Sequence, residues 1–145
     1  MKNKRGWIEI VEAFVAVMLV AAFLLILLNN SNNEKENFSY EVYQIQISIL
    51  REIQTNDTFR TDIASVPEPL PIKWTDTRFP QDLKDRIISR TPSYLECVAN
   101  ICNSTEVCTL DEEINKDIFS EFVTISATVG EGEVYRRLNL FCWIK

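Results

Sequence analysis

Four cysteines are the residues of this 145-residue chain whose spacing most clearly predicts chemistry. Cys97, Cys102, Cys108 and Cys142 form an even set, so two disulfides are possible, with three connectivities. The first alternative is a zinc site. Four, five and 33 residues lie between consecutive cysteines, however, so the C-x-x-C pairs typical of a zinc site are missing. The second is a set of free thiols. We expect disulfides, with Cys142 joined to one of the cysteines of the loop, because that bond would hold the terminal strand in place.

Enzymatic chemistry has little support in the composition. Histidine is absent from the sequence, which removes the commonest general base and metal ligand. The carboxylates at residues 110–117 are typical of a solvated turn or helix face. They lack the D-x-D-x-D-G spacing of a calcium loop. We therefore predict no catalytic residues, no cofactor and no metal site.

The charge is unevenly distributed along the chain. Lys2, Lys4 and Arg5 precede an apolar segment, whereas residues 29–145 carry 12 basic and 19 acidic side chains, a net charge of −7. An acidic domain repels phosphate backbones, so nucleic acid is not an expected partner.

Residues 7–28 form the apolar segment, which contains Glu9 and Glu12 in its first turns. At 22 residues it predicts a transmembrane helix about 33 Å long. The alternatives are a cleaved secretory signal, for which no A-x-A site follows, and a buried core helix. The basic residues before the helix predict a cytoplasmic N-terminus, with the rest of the chain outside the cell. Four N-x-S/T sequons agree with export, and they make glycosylation candidates of Asn29, Asn37, Asn56 and Asn103.

The remaining sequence predicts a small α+β head at residues 38–145, after a polar juncture at 29–37. Residues 38–54 carry both a helical stripe and a strand-like alternation, and the good helix formers of 50–54 favour a helix that Asn56 and Asp57 end. Three alternating prolines predict an extended segment that crosses the surface at 66–74, and Pro80 begins a short helix within 79–92. A strand passing into a cysteine loop follows.

A β-hairpin is predicted at the C-terminus, with strands 119–129 and 134–144. Val123, Ile125, Ala127 and Val129 share one face of the first strand. Leu138, Leu140, Cys142 and Ile144 share one face of the second strand. Its other face carries Tyr135, Phe141 and Trp143. We expect a helix to cover these aromatics, and a contact with a neighbouring subunit is the alternative.

The N-terminal stretch resembles the class III signal of archaeal type IV pilins. The resemblance rests on the basic leader MKNKRG, followed by an apolar helix with a glutamate near its start. It implies cleavage between Gly6 and Trp7 by a prepilin peptidase, and packing of the helix with other pilin-like subunits. Glu9 or Glu12 would then pair with the new amine of a neighbour, although the family's usual position, the fifth after the cut, is Val11 here.

The implied protein is a membrane-anchored structural subunit of a surface filament. The alternative is an uncleaved single-pass membrane protein with a binding or adhesion ectodomain. In that case Glu9 and Glu12 pair with Lys4 or Arg5 at the membrane interface.

Overall fold

The structure, a computed structural model, describes residues 4–110 and 114–145, without the side chains of residues 4–6, 9 and 27–37. The chain divides into two compact units, Met1–Tyr40 and Glu41–Lys145. The described helices are α1 (Lys4–Thr55), α2 (Asp57–Ala64) and α3 (Gln81–Arg90). The strands are β1 (Leu95–Asn103), β2 (Phe119–Val129) and β3 (Gly132–Ile144). The second unit is thus a small α+β head.

Helix α1 corrects one prediction about the N-terminal segment. Within the described residues, no helix combines the length and the apolarity that crossing a membrane requires. The predicted transmembrane helix at residues 7–28 is therefore wrong. Its uncharged part, residues 13–28, contains 16 residues. Such a helix rises only about 24 Å, against a hydrocarbon core of about 30 Å.

The end of α1 contributes a buried helical stripe to the head. Its inward residues recur at helical spacing, and each is at most 3% exposed: Val42, Gln46, Ile49, Leu50 and Ile53. The helix predicted at 38–54 is confirmed, and α1 also continues through the predicted juncture at residues 29–37.

Asn56 separates α1 from a helix that the sequence did not predict. Its side chain accepts hydrogen bonds from the backbone N–H groups of Thr58 and Phe59, at 3.0 and 3.4 Å, and so caps α2. Phe59, Ile63 and Ala64 of α2 are buried. The Asn-Asp pair therefore ends one helix and begins the next.

The proline segment and α3 follow the predicted order. Helix α3 begins after Pro80 and carries Asp82 in its first turn and Arg90 in its last. The preceding segment is not the extended stretch that was predicted, since it bends at residues 68–70, and it is not confined to the surface. Ile72 is fully buried and exchanges two backbone hydrogen bonds with Ile101 at the outer edge of β1.

The sheet is antiparallel with strand order β1-β3-β2, and the predicted hairpin is confirmed. Val129 pairs with Gly132, so the connection is the two-residue turn Gly130-Glu131. Gly130 has φ +66°, a left-handed conformation that favours glycine. The predicted alternation in β2 is also confirmed, since Ile125 and Ala127 are buried and Thr124 and Thr128 are exposed.

One face of the sheet, called here the helix-covered face, forms the main core of the head. Helix α2 lies against β2 and β3, and α3 lies against β1. Gln46 of α1 donates hydrogen bonds to the carbonyls of Leu140 and Phe119, at 3.1 and 3.0 Å. The buried sheet residues on this face are Leu95, Cys97, Ala99, Ile101, Ile125, Ala127, Leu138, Leu140 and Cys142.

Candidate assembly surface

The first segment of α1, residues 4–40, differs from the rest of the structure in its exposed apolar side chains. Every side chain described between residues 7 and 26 is exposed. Fourteen of them are large and apolar, and each is at least 40% exposed: Trp7, Ile8, Ile10, Val11, Phe14, Val15, Val17, Met18, Leu19, Val20, Phe23, Leu24, Leu25 and Ile26. We call residues 7–26 the assembly surface.

The assembly surface surrounds the helix rather than forming a stripe. Successive residues of an α-helix are about 100° apart, so the apolar runs at 17–20 and 23–26 point in all directions. A helix that is apolar all round is normally buried. Each such side chain gains about 1.5–3 kcal/mol on full burial. The assembly surface therefore has a strong tendency to pack against apolar partners.

The predicted processing and pairing residues lie at the start of this surface. Gly6 and Trp7 fall in the first turns of α1, and Trp7 is 71% exposed. Glu12 is exposed and has no ion-pair partner among the described side chains. The side chains of Glu9, Lys4 and Arg5 lie outside the description, as does any pairing between them. Glu12 is thus one of two carboxylates, with Glu9, in the otherwise apolar sequence of residues 7–26.

Two disulfides pair the four cysteines of the head, as predicted, and they lie on opposite faces of the sheet. Cys97 pairs with Cys142 between adjacent strands, with a Cα–Cα distance of 4.2 Å, on the helix-covered face. Cys102 pairs with Cys108 and closes the start of the loop after β1. The first disulfide therefore joins strands, and the second shapes a loop.

That loop covers the other face of the sheet, called here the loop-covered face. Phe141 and Trp143 are 6% and 5% exposed beneath the Cys102–Cys108 disulfide, with Leu110 and Ile114 packed beside them. Of the three aromatics expected to be covered, Phe141 and Trp143 are covered by a loop instead of a helix, whereas Tyr135 is 49% exposed. Residues 111–113, part of the acidic stretch considered for calcium, lie outside the description.

Three of the aromatic and charged contacts at the head surface shift pKa values. Glu41 accepts a hydrogen bond of 2.8 Å from the Tyr94 hydroxyl, which raises the pKa of Tyr94 because the bond needs the protonated phenol. Glu133 raises the pKa of Tyr135 in the same way. Arg78 lowers the pKa of Asp76 to about 2 through side-chain and backbone hydrogen bonds. All three shifts move the pKa away from neutrality, so each group keeps its ordinary charge state near pH 7.

The glycosylation candidates have different surroundings. Asn29 and Asn37 lie within α1, and their side chains are outside the description. Asn56 is the exposed cap of α2. Asn103 is half-buried at the end of β1. Exposure and backbone conformation thus separate the two sequons that can be compared.

Comparison with known proteins adds no relative: no protein-family model, no curated protein and no solved structure matches this chain. The candidate site consequently rests on the chain's own residues and their exposure.

Proposed function

We propose that this chain is a pilin-like structural subunit that assembles with other subunits through residues 7–26 of α1. The fourteen exposed apolar side chains of that surface carry the proposal. Monomeric proteins rarely expose apolar patches beyond a few hundred Å², and larger ones mark interaction sites. Packing against the helices of neighbouring subunits buries a helix that is apolar on all sides.

Leader removal fits this assembly because it creates a positive charge at the start of the surface. Cleavage after Gly6 by a prepilin peptidase leaves Trp7 with a free α-amino group, whose usual pKa is near 8. The exposed Glu12 carboxylate is then an available partner for the amine of an adjacent subunit, and Glu9 is the second candidate. An apolar surrounding strengthens such a pair because it lowers the local dielectric constant.

The head supports display at the cell surface. Both disulfides are of the kind that persists in oxidising environments outside the cytoplasm. The acidic residues of the head keep it hydrated and soluble when many copies are brought together. We place the head on the outside of the cell, as the displayed part of a surface filament.

The first test is the N-terminus of the protein recovered from its native cells. Intact mass and terminal sequencing are expected to show a chain that begins at Trp7 and lacks residues 1–6. Recovery of a chain that still begins at Met1 would contradict leader removal. It would leave the protein as an uncleaved surface protein with a binding or adhesion head.

The second test removes the carboxylate from the assembly surface. Glu12→Ala deletes a charge-assisted hydrogen bond worth about 1.5–3 kcal/mol, so assembled material should fall roughly 10- to 100-fold at an unchanged level of total protein. Glu96→Ala is the matched control, because Glu96 is an exposed carboxylate on the head. Equal assembly of the two variants would count against the pairing.

A further inference from the structure

Two of the four sequons have described side chains, and their exposure differs. Asn56 is the single residue between α1 and α2, Asp57 and Thr58 begin α2, and all three residues of the sequon are exposed. The side chain of Asp57 is 93% exposed. In the other sequon, Asn103 and Ser104 are both half-buried.

Hydrogen bonding at Asn56 leaves its amide nitrogen free. Oδ1 accepts from the backbone N–H groups of Thr58 and Phe59, whereas Nδ2 has no partner among the residues that the structure describes. The Thr58 hydroxyl likewise makes no hydrogen bond within that part of the chain. The cap thus holds the side chain by its oxygen, and within the described residues it leaves both the amide nitrogen and the Thr58 hydroxyl without a hydrogen bond.

Asn103 lacks this arrangement. It belongs to β1, where it pairs with Arg136 of the central strand, and it directly follows the disulfide-bonded Cys102. Arg137 donates a hydrogen bond of 3.0 Å to the carbonyl of Glu106 in the same turn, so that the turn is tied to the sheet. A bulky group at Asn103 would have to fit against a folded strand end.

We infer that Asn56, rather than Asn103, is the N-glycosylation acceptor of the folded head. The donor class is an oligosaccharide on a lipid phosphate or pyrophosphate carrier. The bond from sugar C1 to the carrier phosphate oxygen breaks, a bond from C1 to Asn56 Nδ2 forms, and one Nδ2 proton leaves to a base. The product keeps Oδ1 as an amide oxygen, so the cap of α2 survives the modification.

The inference rests on export of the head, which is part of the proposed function. The same sample tests the two separately, because the disulfides report export. If Cys97 and Cys142 resist alkylation in denaturant without reductant and Asn56 is unmodified, the inference fails and export stands. If the thiols are free and Asn56 is unmodified, export fails as well.

The experiment is peptide mass mapping of the protein recovered from its native cells. Trypsin releases residues 52–60, which contain Asn56 and no other sequon. Most of this peptide is expected to carry a mass increment of hexose, N-acetylhexosamine or uronic acid units. The peptide that contains Asn103 is expected at its unmodified mass. An unmodified 52–60 peptide, or higher occupancy at Asn103, would overturn the inference.

Three variants separate the modification from the cap. Thr58→Ala removes the sequon hydroxyl but keeps the backbone N–H that bonds Asn56, so the increment should disappear while α2 remains capped. Thr58→Ser keeps a hydroxyl and should retain the increment. Asn56→Asp keeps a good capping residue and should lose the increment. An increment on the 52–60 peptide that persists in Thr58→Ala would contradict the inference.

Discussion

Helix α1 contains two segments whose apolar residues have opposite surroundings. In residues 41–55, one stripe of side chains is buried in the head and the remaining positions are polar or partly exposed. In residues 7–26, every described side chain is exposed, including Leu19 and Leu25 at 67%. The sequence explains the contrast, because the later segment is amphipathic and the earlier one is apolar at successive positions.

This contrast shows which packing partners each segment requires. An amphipathic helix satisfies its apolar stripe against one sheet, and the head supplies that sheet within the same chain. A helix that is apolar all round needs partners on several sides. The polar residues among these apolar side chains also differ in exposure. Gln46 is 1% exposed and bonded to two sheet carbonyls, whereas Glu12 is exposed.

The largest expected effect comes from truncating one apolar residue in each segment. Ile53→Ala removes a fully buried side chain and should destabilise the head by about 2–5 kcal/mol in urea-induced unfolding. Leu25→Ala should leave the unfolding midpoint of the head unchanged and reduce assembly. A loss of head stability in Leu25→Ala equal to that in Ile53→Ala would remove the distinction between the segments.

The disulfides should rank by the length of chain that they close. Cys97 and Cys142 are 45 residues apart, and Cys102 and Cys108 only six. Replacing each pair by serine should cost about 4 and about 2 kcal/mol of unfolding free energy, respectively. The loss of the second pair should also expose Trp143, measurable as a red shift in tryptophan fluorescence. Equal losses from the two pairs would contradict this ranking.

Gln46 tests the polar contact in the buried segment. Gln46→Leu keeps the volume but leaves the carbonyls of Leu140 and Phe119 without this donor, which should cost about 1–3 kcal/mol. Gln44→Leu, at an exposed position two residues earlier, is the matched control and should have little effect on unfolding. If the two variants have the same free energy of unfolding, the buried hydrogen bonds of Gln46 contribute nothing to the stability of the head.

The smallest effect is an acid-dependent loosening of the proline segment. Arg78 bonds Asp76 and donates to the carbonyls of Pro67 and Pro69, at 3.4 and 3.1 Å. The pKa of Asp76 is lowered from 3.8 to about 2, so its stabilisation is complete above pH 4 and is lost as the pH falls toward 2. Asp76→Asn should flatten this dependence in hydrogen exchange of the segment. If the variant shows the same acid dependence, groups other than Asp76 cause the loosening of the segment.

Much of the head could be predicted because local patterns decided it. Period-two alternation gave the faces of β2, and Pro80 with Asp82 and Arg90 placed α3. Helix α2 was missed because Asn56-Asp57 is both a stop signal and a capping signal. The Thr58 that follows it, and the apolar spacing of Phe59 and Ile63, could have revealed the new helix.

The features that escaped prediction depend on contacts between distant residues. No local sequence pattern predicts that a loop closed by Cys102 and Cys108 covers Phe141 and Trp143. The transmembrane prediction failed for another reason, since it counted the turns that contain Glu9 and Glu12 as part of the apolar length. The assembly surface was predicted as an apolar segment, but the exposure of every side chain described in it could be seen only in the structure.

Cross-linking from Met18 tests the central claim most directly. Met18 is 57% exposed at the middle of the assembly surface. A photoreactive amino acid at this position, activated in native cells, is expected to give a ladder of cross-linked subunits joined through the N-terminal helix. The same group at Thr128, exposed near the hairpin turn, controls for random collisions. Absence of the ladder, or cross-links to lipid alone, would contradict assembly through residues 7–26.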